Sequence, residues 1–149
     1  MARTVLLAAH LAGMAAWLGA NFTQLALARF YGNQPTDARL AWVRATGLMA
    51  SRYYNAAGTL IGATGVGLVL HGHWSWSSGF IWVGVGVLVI GGAMGAGGFV
   101  PTSARLAAAL RAEQATEVRR LDRRTLAMAL LDTAFVLTAV LAMVHKWRA

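Results

Sequence analysis

His10 and Met14 stand four residues apart in a segment without any formal charge, Thr4 to Ala28. At helical spacing the two side chains lie on the same face, one turn apart. An imidazole and a thioether are ligands for copper, and a single histidine can hold a haem iron. The pair therefore predicts a metal or cofactor site, and Trp17, on the same face, is predicted to form a wall of that site.

The other three histidines extend this candidate site. His71 and His73 lie just after an apolar segment, and His145 lies at the end of the last one. We predict His71 and His73 as further metal ligands and His145 as a second cofactor ligand. The alternatives are an exposed loop for His71 and His73 and an interfacial anchor for His145.

A second polar set lies deeper in the apolar segments. Asp132 is the only charged residue between Thr125 and His145. An unpaired carboxylate in a membrane is costly, so Asp132 needs a partner. The predicted partners are Asn21, which shares the polar face of the first segment, and Arg52. A structural pair and a proton or cation relay are both open interpretations of this set.

The composition indicates the elements that must position these residues. Hydrophobic residues make up 58% of the 149 residues and charged residues 12%, against about 25% charged in soluble domains. A membrane-crossing helix needs about 20 mostly apolar residues. The sequence therefore predicts an all-α integral membrane four-helix bundle that forms a single domain over residues 1–149. Its expected spans are residues 4–28, 53–70, 80–100 and 125–145.

The basic residues predict the direction of the spans. Ten of the 13 Lys and Arg residues lie in the links between spans one and two and between spans three and four. By the positive-inside rule both links are cytoplasmic and both termini face out. This prediction places all four histidines on the outer side. A cleaved signal peptide at the N-terminus is the less favoured alternative.

The links themselves are rich in helix-forming residues and are predicted to be cytoplasmic helical extensions. The net charge of +8 is then mainly a topology signal, and the lipid bilayer is the expected partner. Nucleic-acid binding is not expected, because no aromatic platform accompanies the arginines.

Spans two and three are rich in glycine. Gly58 and Gly62 form a GxxxG pair in span two, and Gly91 and Gly95 form another in span three. Such pairs allow helix backbones to approach closely. They predict tight packing within the chain, a homo-oligomer or a larger membrane complex, or else space for a flat cofactor.

The stretch "HLAGMAAWLG" contains a histidine, then six residues, a tryptophan, one residue and a glycine. With four spans and an outer N-terminus, it resembles the copper-resistance protein D-like small bacterial membrane proteins. More distantly, the chain is similar to HemJ-type protoporphyrinogen oxidases, which pair a first-span histidine with a third-span lysine around haem. Span three of this chain contains no lysine. The resemblance implies that His10 handles copper or binds haem b at the outer face of the bacterial cytoplasmic membrane.

Three functions follow from these patterns. The first is a non-enzymatic membrane protein that binds a metal or haem through His10 and nearby His and Met side chains. The second is a haem-dependent membrane oxidoreductase, with His10 and His145 as axial ligands. The third is a structural accessory subunit of a larger membrane complex. There is no cysteine, Ser-His-Asp set, carboxylate pair or phosphate loop in the sequence, so hydrolase and transferase functions are not predicted.

Overall fold

A computed structural model of the chain describes residues 1–72 and 74–145. Within that part the regular structure is entirely helical. It consists of α1 (Ala2–Gly32), α2 (Thr36–Leu48), α3 (Tyr54–Gly72), α4 (Gly79–Met94), α5 (Val100–Arg111) and α6 (Ala115–His145). Two π-helical turns, Met49–Tyr53 and Gly95–Phe99, join α2 to α3 and α4 to α5. The chain therefore forms four continuous helices, and the predicted all-α class is confirmed.

Three of these continuous helices are long and apolar enough to cross a membrane: Ala2–Gly32, Gly79–Arg111 and Ala115–His145. They contain the predicted spans 4–28, 80–100 and 125–145. The predicted span 53–70 coincides with α3, which does not belong to this group of three. Its apolar residues are interrupted by small and polar ones, including Gly58, Thr59, Gly62 and Thr64.

Short turns reverse the chain between helices. Pro35 precedes α2, and the turn before α6 contains Glu113 with a φ of 54°. The links that the sequence predicts to be helical are α2 and α5, which continue α3 and α4 with the π-helical turns between them.

Both described chain ends lie at the same end of the molecule. An added Cβ at Gly67 would lie 3.1 Å from Leu6 near the start of α1, and one at Gly84 would lie 3.1 Å from Met143 near the end of α6. The half of the molecule on this side is called the terminal half below. The opposite half, which contains the turns at residues 33–35 and 112–114, is called the link half.

Each half has its own buried apolar cluster. The cluster of the terminal half reaches to the middle of the molecule and consists of Met14, Trp17, Ala57, Ile61 and Val136. The cluster at the far end of the link half joins α2, α5 and α6 and consists of Val43, Leu106, Ala107, Ala109, Leu110, Val118 and Leu121. The polar residues of interest lie in and between these clusters.

Candidate functional site

His10 is buried on the face of α1 that packs against α3. Its Nδ1 lies 3.1 Å from the carbonyl oxygen of Ile61 and 3.0 Å from Oγ1 of Thr64. A Cβ added at Gly65 would lie 3.4 Å from the ring atom Cε1 of His10. A Cβ at position 65 would therefore make ordinary van der Waals contact with the ring.

The hydrogen-bond partners of Nδ1 define the tautomer of the ring. A carbonyl oxygen only accepts, so Nδ1 carries the hydrogen and donates it to Ile61. Thr64 donates its own hydroxyl hydrogen to the carbonyl of Leu60, so its oxygen also accepts from Nδ1. In the neutral ring the lone pair is then on Nε2. This is the arrangement by which backbone and side-chain acceptors orient histidines that ligate metals.

Two of the other predicted ligands, Met14 and His71, lie in different surroundings. Met14 is buried in the apolar cluster with Trp17 and Ile61. His71 is exposed, and its Nδ1 lies 3.0 Å from the carbonyl oxygen of Gly67 on its own helix.

His145 is exposed at the end of α6, and His73 lies outside the described residues. Among residues 1–72 and 74–145 no three His, Cys, Asp or Glu side chains come close enough to hold a metal ion. Of the predicted ligands in this part, His10 is the one that combines burial with an oriented ring.

Asp132 is buried on α6, and its oxygen Oδ2 accepts two hydrogen bonds. Trp17 Nε1 donates at 2.9 Å and Asn21 Nδ2 at 2.8 Å. Asn21 also donates to the hydroxyl of Thr133 at 3.2 Å. Arg52, the other predicted partner, is exposed and is not one of these donors. The carboxylate is therefore held by two neutral donors and not by an arginine.

The network continues along α1 towards the link half. Gln24 Nε2 donates to the hydroxyl of Tyr54 at 2.7 Å, and this hydroxyl donates to Oδ1 of Asn21 at 2.6 Å. In this series of hydrogen bonds, each group donates to the next one in the direction of Asp132. This series of hydrogen bonds through Asn21 orients the side chain of Asp132.

A cavity of about 470 Å³ lies beside this network in the link half. All four continuous helices line it, and its walls include Trp17 from one apolar cluster and Val43 and Leu106 from the other. Trp17 and Arg29 both line it and are separated on α1 by about 18 Å, at 1.5 Å per residue. The cavity is thus elongated along the helices and separates the two apolar clusters.

The two π-helical turns border this cavity. Ala50 lies in the first turn, Gly95 in the second, and both line the cavity. A Cβ added at Gly95 would lie 3.7 Å from the carbonyl oxygen of Ala50, so the turns face each other. Such turns insert one extra residue into a helix and occur frequently at functional sites. Here they place small residues around an open space.

The two ends of the cavity differ in charge. The deep end is formed by Asp132 with its donors. The opposite end, which lies towards the turns at residues 33–35 and 112–114, is lined by Arg29, Arg39, Asp122 and Arg123. Arg39 and Asp122 form a salt bridge of 2.7 Å between their side chains. The cavity therefore has an acidic deep end and a basic mouth.

Several features of this region are not predicted from the sequence. Trp17 is expected as a wall but is also a hydrogen-bond donor to Asp132. The helical wheel of α1 places Asn21 and Gln24 on one face, which is the available signal for this network. To predict the cavity one must know which helices are neighbours, and the residue pattern of a single helix does not contain this information.

The fold and the site define an all-helical protein with three helices able to cross a membrane, a buried oriented histidine and a separate polar cavity. No family model matches the chain, and comparisons with curated proteins and with solved structures also return no match.

Proposed function

We propose that the chain is a four-span protein of the bacterial cytoplasmic membrane that binds haem b through His10. The observation that carries this proposal is the pair of acceptors on Nδ1, the Ile61 carbonyl and the Thr64 hydroxyl. They orient the imidazole and leave Nε2 without a hydrogen, so Nε2 is the atom that would bind an iron ion.

The donor set favours haem over copper. A haem iron takes four ligands from the porphyrin, so one or two protein ligands complete its coordination. A copper ion needs further ligands besides His10, and Met14 is packed among apolar side chains. When bound, haem would supply one-electron chemistry. The contribution of this chain is to hold the imidazole in one tautomer and orientation between α1 and α3.

The distribution of charge supports a topology with both termini outside the cytoplasm. The arginines of the link half lie near both turns, and the terminal half is poor in charge. Because the chain has no cysteine, single cysteines can report on this topology. In intact cells, an impermeant maleimide should label Ser77→Cys but not Gln114→Cys. The reverse pattern would contradict the proposed orientation.

The haem proposal is tested by absorption spectra and metal analysis of the purified protein. The wild-type chain should show a Soret band, and His10→Ala should lose it. His71→Ala is the matched control, because His71 is exposed, and it should keep the band. Copper content that depends on His10, without a Soret band, would support the copper-binding form. A colourless and metal-free protein would contradict both and favour the accessory-subunit function.

Thr64 gives a finer test of the same site. Thr64→Val removes one acceptor from Nδ1 while the Ile61 carbonyl remains. Loss of such a partner lowers metal affinity by about 10- to 100-fold, so haem should dissociate faster from this variant. Thr59→Val, an exposed change on the same helix, should leave haem binding unchanged. Equal haem retention in both variants would argue against a ligand role for His10.

A further inference from the structure

We propose that the cavity in the link half binds a single-chain amphiphile, with an anionic head group at Arg29 and Arg123 and a hydroxyl near the other end of the chain, beside Asp132. This site lies in the opposite half from His10 and does not depend on haem. The inference comes from the charges at the two ends of the cavity and from its shape.

The mouth of the cavity has a surplus of positive charge. Arg39 is neutralised by Asp122 in the salt bridge described above. Within the described residues, Arg29 and Arg123 form no ion pair, and both line the cavity. Guanidinium groups bind carboxylate and phosphate through paired N–H donors. The mouth therefore fits an anionic head group.

The deep end requires a different group. Trp17 and Asn21 both donate to Oδ2 of Asp132, and within the described residues no group donates to Oδ1. Oδ1 lies beside Gly91, where an added Cβ would come within 3.4 Å of it. If the ligand ended in an apolar group at this point, it would exclude water from Oδ1 without offering a hydrogen bond in its place. A hydroxyl would donate to it.

The cavity is large enough to hold a hydrocarbon chain that extends from the basic end to the acidic end. Its volume of about 470 Å³ lies in the range of about 300–1,000 Å³ that is typical of small-molecule sites. Thr125 and Asp132 are separated on α6 by about 10 Å, and the basic mouth extends the length to about 15–18 Å. An extended chain advances about 1.2 Å per bond, so a chain of about twelve carbons spans the cavity.

The proposal is tested with four probes and the whole chain in nanodiscs of neutral phosphatidylcholine, by calorimetry. The probes are dodecanoate, 12-hydroxydodecanoate, dodecyl phosphate and dodecan-1-ol. Dodecanoate or dodecyl phosphate should bind about tenfold more tightly than dodecan-1-ol, as two charge-assisted contacts predict. The tighter of these two anions identifies the head group as carboxylate or phosphate. The terminal hydroxyl of 12-hydroxydodecanoate should increase affinity over dodecanoate.

Matched charge variants separate the cavity from general attraction of anions. Arg29→Gln with Arg123→Gln should abolish the preference for anions over dodecan-1-ol. Arg44→Gln with Arg124→Gln removes the same charge from positions outside the cavity wall and should keep the preference.

Equal affinities for anions and alcohol in the wild-type chain would overturn the proposal. So would equal losses in the cavity pair and the pair outside the cavity wall, because the effect would then be one of surface charge. No binding of any probe to a folded wild-type chain would also refute it. The His10→Ala variant should bind all four probes normally, so failure of the haem proposal and failure of this one are separate results.

Discussion

The terminal half and the link half differ in how the same four helices approach each other. In the terminal half, α1 and α3 are in close contact through small residues. A Cβ added at Gly13 would lie 2.8 Å from Cγ1 of Ile61, and one at Gly67 would lie 3.1 Å from Leu6. In the link half, two π-helical turns and small residues surround a cavity of about 470 Å³.

This difference shows two ways of placing a polar group in an apolar interior. His10 is enclosed by packing, and backbone and hydroxyl acceptors satisfy its Nδ1. Two donors form hydrogen bonds to Oδ2 of Asp132, and its Oδ1 faces the cavity. The packed half should therefore be sensitive to added atoms. The half with the cavity should be more sensitive to the loss of polar partners.

The largest effect is expected when the carboxylate of Asp132 is removed. Asp132→Ala leaves the buried donors of Trp17 and Asn21 without their acceptor, which should cost about 3 kcal/mol of unfolding free energy. Reversible unfolding in mixed micelles of dodecyl sulfate measures this loss. Asp132→Asn keeps one acceptor oxygen and should cost about 1 kcal/mol. Equal stability of the alanine variant and wild type would mean that the network does not stabilise the link half.

Added volume in the terminal half should have the next largest effect. Gly13→Ala places a methyl group against Ile61 and should cost about 1–2 kcal/mol because the two helices must separate. Gly19→Ala is the matched control on the same helix, since an added Cβ there meets nothing within 4 Å. That control should gain up to about 1 kcal/mol from helix propensity. The same unfolding assay distinguishes the two, and equal changes would argue against tight packing at Gly13.

Much of the fold follows from the sequence because a helix in an apolar solvent needs only a long uncharged run and satisfied backbone groups. The uncharged runs predict α1 to within four residues, but α4 ends six residues before its predicted span does and α6 begins ten residues before its own. The Arg-rich links add α2 and α5. Span two is less distinct, because α3 does not belong to the three helices that are long and apolar enough to cross a membrane. The π-helical turns are not predicted, since one inserted residue changes neither composition nor helical periodicity.

The site is predicted less completely than the fold. Burial of a charge predicts that Asp132 needs a partner, and Asn21 is one of the two residues proposed for that role. The contribution of Trp17 is missed because an indole in a membrane helix is expected to pack as an apolar group. Thr125 is missed because its place in the cavity wall depends on which faces of the helices meet. That neighbour order is set by packing between helices and not by the pattern of any one of them.

A smaller effect, of opposite sign, is expected in the wall of the cavity. Thr125→Val replaces the unpartnered hydroxyl by a methyl group of similar size. Without ligand, this change should stabilise the chain by about 1 kcal/mol, because a buried unsatisfied group is removed. Thr133→Val is the comparison, since the Thr133 hydroxyl accepts from Asn21, and it should destabilise the chain. Destabilisation by both variants would show that the Thr125 hydroxyl already has a partner.

The smallest effect is expected at the mouth of the cavity. Arg39 and Asp122 form a salt bridge of 2.7 Å, but their side chains are 18% and 44% exposed. Solvent therefore screens the pair, and a double-mutant cycle with Arg39→Gln and Asp122→Asn should give a coupling energy of about 0.5 kcal/mol. High salt should reduce this coupling further. A coupling of about 2 kcal/mol or more would instead indicate a dry, closed mouth, and the link half would then resemble the packed terminal half more than its cavity suggests.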